Sequence, residues 1–138
     1  MISEPRSACP INRSLEMLGD RWSLLVLRDI ALHDRRTFRD LLTSSDEGIS
    51  APMLSRRLGD LTNAGFLTKE QVARGKQGRY SLTELGASAL PVLIELGRLG
   101  VRIDPTTAPH APATGAALHT HLAELRRRHG LAATKPPT

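Results

Sequence analysis

The stretch ISAPMLSRRLGDLTNAGF, residues 49–66, constrains the fold most, because both ends of one short amphipathic helix are written into it. Ser50 suits an N-cap, Pro52 falls in the first turn where its missing N–H costs nothing, and Gly65 supplies the stop. Between them Leu54, Leu58 and Leu61 recur at the i, i+4, i+7 spacing of a single buried stripe, so the helix is anchored along one side. Turning about 100° per residue from that stripe puts Pro52, Arg56 and Asn63 on the far side, flanked by Met53, Ser55, Gly59 and Asp60. That face is small, polar and basic, which is what a DNA major groove accepts from a helix held from behind. An ordinary surface helix has the same pattern, so the decision rests on its neighbours.

Upstream, Cys9-Pro10 opens a helix carrying Ile11, Leu15 and Leu18 before Gly19 ends it. Asp20 then caps a second helix whose Trp22, Leu25, Leu27, Ile30 and Ala31 are apolar enough to make it the hub of a core. Thr37, followed three residues later by Asp40, resembles a capping box for a third, short helix with Phe38, Leu41 and Leu42. The loop TSSDEG leads from it into the helix at 50–64, which makes a helix-turn-helix. Downstream the pattern becomes extended: residues 67–72 and 79–82 each suit a strand, with the basic, glycine-bearing ARGKQG between them. A helix pair followed at once by a hairpin with a charged tip is the element order of a winged helix, so the expected fold is mainly α with a small β-hairpin wing.

Thr83 caps the leucine-rich segment 85–103, which Pro91 should bend or divide. Leu90, Val92, Leu93, Ile94, Leu96, Leu99 and Val101 are more apolar surface than one face of a small domain buries, and the surplus points to a second copy of the chain. Residues 104–115, DPTTAPHAPATG, read as a linker, and Leu118, Leu122 and Leu125 predict a final helix ending in RRRHG. The organisation is thus a winged helix-turn-helix and dimerisation domain over 1–103, a linker over 104–115 and a helical tail over 116–138.

Composition narrows the function. The chain of 138 residues carries formal charge +5 with a pI near 10.3, and its basic residues cluster: Arg35, Arg36 and Arg39; Arg56 and Arg57; Arg74, Lys76 and Arg79; Arg126 to Arg128. Such charge favours polyanions. An N-terminus without an apolar core and the lack of any long apolar run argue against export or a membrane and for the cytoplasm. One cysteine excludes an internal disulfide. No Ser-His-Asp set, glycine-rich phosphate loop or paired-cysteine spacing appears, so neither an enzyme nor a cofactor or metal is expected. His110, His119, His121 and His129 read as surface histidines.

From Cys9 to about Gly100 the chain resembles the HxlR-type winged helix-turn-helix regulators of bacteria. The resemblance rests on Cys9-Pro10, Leu18-Gly19-Asp20-Arg21-Trp22, Phe38 with Leu41, Ile49-Ser50 with Met53-Leu54 and Leu58, and Ala64-Gly65-Phe66-Leu67. It continues through Tyr80-Ser81-Leu82-Thr83-Glu84-Leu85-Gly86 and Leu90-Pro91-Val92-Leu93. Pro52, in place of a frequent long polar side chain, and Leu99-Gly100, in place of a frequent Trp-Gly, depart from the pattern. The resemblance implies a homodimer on a roughly palindromic operator in double-stranded DNA.

The expected DNA-binding residues are Ser50, Pro52, Met53, Ser55, Arg56 and Arg57 on the recognition helix and Arg74, Lys76 and Arg79 on the wing. Ile11, Leu15, Leu93, Leu96 and Leu99 are the expected dimer contacts. Cys9, at a helix N-terminus where the dipole favours a thiolate, is a candidate redox sensor, as in some relatives, or else an inert packed thiol. A small-molecule effector is compatible with this reading. The competing function class is a protein-interaction adaptor that keeps the winged fold without specific DNA contact.

Overall fold

The computed structural model describes residues 4–70, 73 and 75–133. Along the chain lie α1 (Pro10–Leu18), α2 (Ser23–His33), α3 (Phe38–Thr43), α4 (Ala51–Asn63), β1 (Leu67–Lys69), β2 (Tyr80–Leu82), α5 (Glu84–Ala87), α6 (Ala89–Ile103), a 3-10 helix (Pro105–His110) and α7 (Gly115–Arg128). This is the expected helical fold with one small hairpin.

Helix α2 is the hub, with six of its eleven residues buried. Val26, Leu27 and Ile30 are buried together with Leu41 of α3, Leu54, Leu58 and Leu61 of α4, and Leu90 and Ile94 of α6. Asp20 caps it: one carboxylate oxygen accepts from the N–H groups of Trp22 and Ser23, both at 2.9 Å, and the other from the Ser23 hydroxyl. Burial alone would raise the Asp20 pKa, but the Ser23 hydroxyl, these N–H groups and Arg57 outweigh it and hold the carboxylate below its ordinary range. The α3 cap is as expected, with Thr37 Oγ1 accepting from Asp40 N at 3.1 Å.

Strands β1 and β2 pair antiparallel with Leu67 opposite Leu82 and Lys69 opposite Tyr80. Beyond Lys69 the pairing continues, with Glu70 N donating to Arg79 O at 2.8 Å, and residues 71 and 72 of the expected first strand lie outside the described residues. Thr83 fastens the hairpin to its neighbours: its hydroxyl donates to Gly65 O at 2.5 Å and accepts from Gly86 N at 3.0 Å. Gly86 is required here, because an added Cβ would lie 2.1 Å from Phe66 O.

Two differences from the sequence reading lie downstream. The leucine-rich segment divides at Ser88, not at Pro91, and Pro91 occupies the first turn of α6. Breaking there removes the helical bond that Pro91 cannot donate, at no cost to the helix that follows. Residues 104–115 are not a free linker either. They contain the 3-10 helix, and Pro112 sits on α6 where a Cβ on Gly97 would come within 2.7 Å of its ring.

Helix α7 folds back on the protomer: Leu125 is buried, and Leu118 and Leu122 pack against the same core. Arg126 pairs with Glu84 in a fork, Nη1 to Oε2 at 2.9 Å and Nη2 to Oε1 at 2.6 Å. His129 is buried, and its Nδ1 accepts from Leu82 N at 2.9 Å, while His121 Nε2 lies 3.1 Å from Ala31 O. These two are therefore structural, not surface, histidines. The tail closes the open edge of β2, a role that demands a ring nitrogen with an unprotonated lone pair.

Candidate nucleic-acid interface

Helix α4 presents the face that its sequence encodes. Ser50 caps it, its Oγ accepting from Met53 N at 3.3 Å, and the Leu54, Leu58, Leu61 stripe is fully inside. Pro52, Ser55, Arg56, Gly59 and Asn63 are exposed on the opposite side. Met53 is half-buried and packs against the core, so it stands at the edge of this face. A Cβ on Gly59 would meet nothing within 4 Å. A helical glycine costs up to about 1 kcal/mol relative to alanine, and no contact inside the protomer offsets it here.

Arg57, expected on the DNA-facing side, is half-buried. It lies three residues after Leu54, beside the buried stripe, and turns inward to Asp60 at 2.6 Å and Asp20 at 3.4 Å. Its guanidinium thereby ties α4 to the start of α2. Other arginines of the basic clusters are also structural. Arg36 is buried, donating to Tyr80 O at 3.0 Å, to Arg128 O at 3.1 Å and to Ser81 Oγ. Burial, then the neighbouring Arg79 charge, lowers its pKa. Arg35 donates to Ser44 O at 2.9 Å and pairs with Asp29 at 3.5 Å, within the helix-turn-helix. Composition counts charge without saying which side of the surface it occupies, and for Arg36, as for Arg126, it is the inner side.

The turn before α4 is fixed by Arg28, whose Nη1 and Nη2 hold Glu47 Oε2 and Oε1 at 2.9 and 2.7 Å. The forked bond with Arg28 is what chiefly keeps the Glu47 carboxyl below its usual range. The wing is attached to the same unit. Thr37 and Arg79 form an isolated antiparallel bridge, Tyr80 N donates to Arg36 O at 2.7 Å, and Gln77 Oε1 accepts from Arg39 N at 3.3 Å. Lys76, Arg79 and Arg39 are exposed. Arg74, expected on the wing, lies outside the described residues. Gln77 is a residue that sequence reasoning missed; only its place in the basic tip hinted at a role.

Cys9 is exposed at the N-cap of α1 and makes no side-chain capping bond. Of the expected dimer residues, Ile11 and Leu15 on α1 and Leu96 and Leu99 on α6 are exposed, whereas Leu93 is only 8% exposed and belongs to the protomer's own interior. Leu93 stands on the side of α6 that faces Leu24 and Leu32 of α2. Val92, Leu85 and Ile103 extend the exposed apolar face instead. No helix among the described residues is long and apolar enough to cross a membrane, and no group of three or more His, Cys, Asp or Glu among them could hold a metal ion.

The profile of the HxlR-like helix-turn-helix family matches residues 17–107. An uncharacterized HTH-type transcriptional regulator of Synechocystis sp. is 34% identical over 93 residues, 67% of this chain and 67% of that protein. A second such regulator, from Mycobacterium tuberculosis H37Rv, is 32% identical over 111 residues, 80% of this chain and 67% of that protein. Among solved structures, a MarR-family regulator from Porphyromonas gingivalis W83 superposes with a TM-score of 0.61 at 30% identity, covering 73% of this chain and 96% of that one. The chain belongs to the HxlR-like helix-turn-helix family of transcriptional regulators, with the winged-helix fold that its hairpin and helix pair form.

Proposed function

We propose that the protein is a sequence-specific DNA-binding repressor that acts as a homodimer on a roughly palindromic operator, with α4 in the major groove and the wing on the backbone. The observation that carries this reading is the exposed face of α4, where Arg56 stands among Pro52, Ser55 and Gly59 on a helix buried behind and capped in front. The small side chains and the open space at Gly59 let a duplex approach the helix closely, and Arg56 has the forked donors that match guanine O6 and N7. Repression is the sign that simple occlusion of a promoter gives. Two copies related by a two-fold axis present two recognition helices, about 34–36 Å apart, to successive major grooves. An electrophoretic shift with the DNA flanking its own gene tests the reading; no shift at any salt concentration favours an adaptor instead.

Two further outcomes follow from the geometry. Arg56→Ala is expected to cost on the order of 1–3 kcal/mol at one operator position and to relax preference there. Equal losses on operator and random DNA would make Arg56 a phosphate ligand. Lys76→Ala and Arg79→Ala, by contrast, should weaken binding to every sequence alike, and each should reduce the slope of log affinity against log salt by about 0.9. An unchanged slope in the double variant removes the wing from the interface.

A further inference from the structure

A cavity of about 510 Å³ opens between α2, α6 and the segment after α6. That volume lies in the range of small-molecule sites, roughly 300–1,000 Å³. Leu24, Leu32 and Leu93 give it an apolar floor, and Pro112 and Ala113 form its outer wall. This outer wall comes from residues beyond the family match at 17–107. The polar residues in its lining are Arg28, His33, His110 and His121, and none of the described lining residues is acidic.

Arg28 connects this cavity to the recognition helix. On one side it borders the space; on the other its guanidinium grips Glu47 through both terminal nitrogens, at 2.9 and 2.7 Å, and holds Asp29 Oδ1 through Nε at 3.0 Å. Glu47 lies in the turn between α3 and α4, three residues before the Ser50 cap.

We propose that this cavity binds a small organic acid, a carboxylate on a compact apolar body, and that the carboxylate competes with Glu47 for Arg28 and loosens the turn that presents α4. The leucine floor suits the apolar body, and the forked guanidinium suits a carboxylate better than any neutral group. A cationic ligand would face Arg28 without a lining carboxylate to receive it. Exchanging one carboxylate for another on the same guanidinium changes little, so burial of the apolar body supplies the net affinity. The effect on DNA rests on the repressor reading above; the binding itself does not.

Isothermal titration of the full chain, without DNA, with benzoate and with neutral benzamide tests the site. Benzoate is expected to bind about tenfold or more tighter than benzamide, and Ala113→Trp, which fills the cavity from an exposed wall position, to weaken benzoate about tenfold. Glu47→Gln should tighten benzoate severalfold by freeing the guanidinium. Trp22, the only tryptophan, borders the same small hollow as Glu47, so benzoate should also shift its emission. Equal affinity for benzoate and benzamide, or a Glu47→Gln protein that binds benzoate no better than the wild type, overturns the proposal. In a second arm, saturating benzoate should lower operator affinity of the wild type. Benzoate that binds as expected but leaves operator affinity unchanged overturns the link to α4. A protein that binds benzoate but no DNA retires the repressor reading and leaves the site standing.

Discussion

Leu99→Glu is expected to turn the protein into a monomer at micromolar concentration and to lower its operator affinity by about a hundredfold, the gain that linking two half-site contacts confers. Leu99 is 53% exposed in the protomer and Ile103, four residues later on α6, is 76% exposed, while α1 carries Ile11 at 72% and Leu15, which shares a hollow with Val92 of α6. An apolar strip of this kind on two helices is more than a soluble monomer ordinarily shows to water. Covering it with its own two-fold copy buries the same side chains twice, and a glutamate at position 99 would then place two carboxylates in the contact. Because Leu99 is half open, the variant should keep the wild-type melting temperature of the isolated fold, unlike a glutamate at the buried Leu93. Sedimentation velocity reads the oligomer and a gel shift reads the affinity. A Leu99→Glu protein that sediments like the wild type would falsify the assignment of this face.

The parts of this molecule that were legible in its sequence are those whose signals are local. The α4 helix was readable because cap, first-turn proline, leucine stripe and stop fall within 16 consecutive positions, 50–65, and each has one physical meaning. The winged order followed because the hairpin adjoins the helix pair. What escaped depends on residues far apart in the chain. Arg57 sits at the edge of the stripe, where a helical wheel leaves it free to point either way, and Asp20, 37 positions earlier, decides the direction. Arg36 reads as one of a basic run, yet it is bound by Tyr80 and Arg128, 44 and 92 positions later. Leu118, Leu122 and Leu125 declared an amphipathic helix but not what it would cover. The break at Ser88 and not Pro91 is a smaller case: proline forbids one hydrogen bond, and the chain has a choice of how far upstream to yield.

Deleting residues 116–138 should destabilise the protein by on the order of 4 kcal/mol, from one buried leucine, two partly buried ones and the polar partners left behind. Leu82 N–H would lose the His129 ring that accepts it at 2.9 Å, and the buried Arg36 guanidinium would lose Arg128 O at 3.1 Å. Both belong to β2 and the base of the wing, so DNA affinity should fall together with stability. The same deletion carries a pH signature. Burial first, then the Arg36 charge, pushes the His129 pKa down to about 4 in the folded protein, against about 6.5 in an unfolded chain. Between those values the unfolded state binds a proton that the folded state refuses, so stability is lost as pH falls from about 6.5 toward 4, by up to roughly 3 kcal/mol. Thermal melts of the wild type across this window should therefore slope steeply. His129→Gln, whose amide oxygen can still accept from Leu82 N, should keep most of the stability at neutral pH and lose most of the slope above pH 5, before the carboxylates titrate. Removing the whole tail should abolish that slope and lower the melting temperature at every pH. A truncated protein as stable as the full chain, or one with the same slope between pH 5 and 6.5, would mean that α7 does not hold the edge of β2.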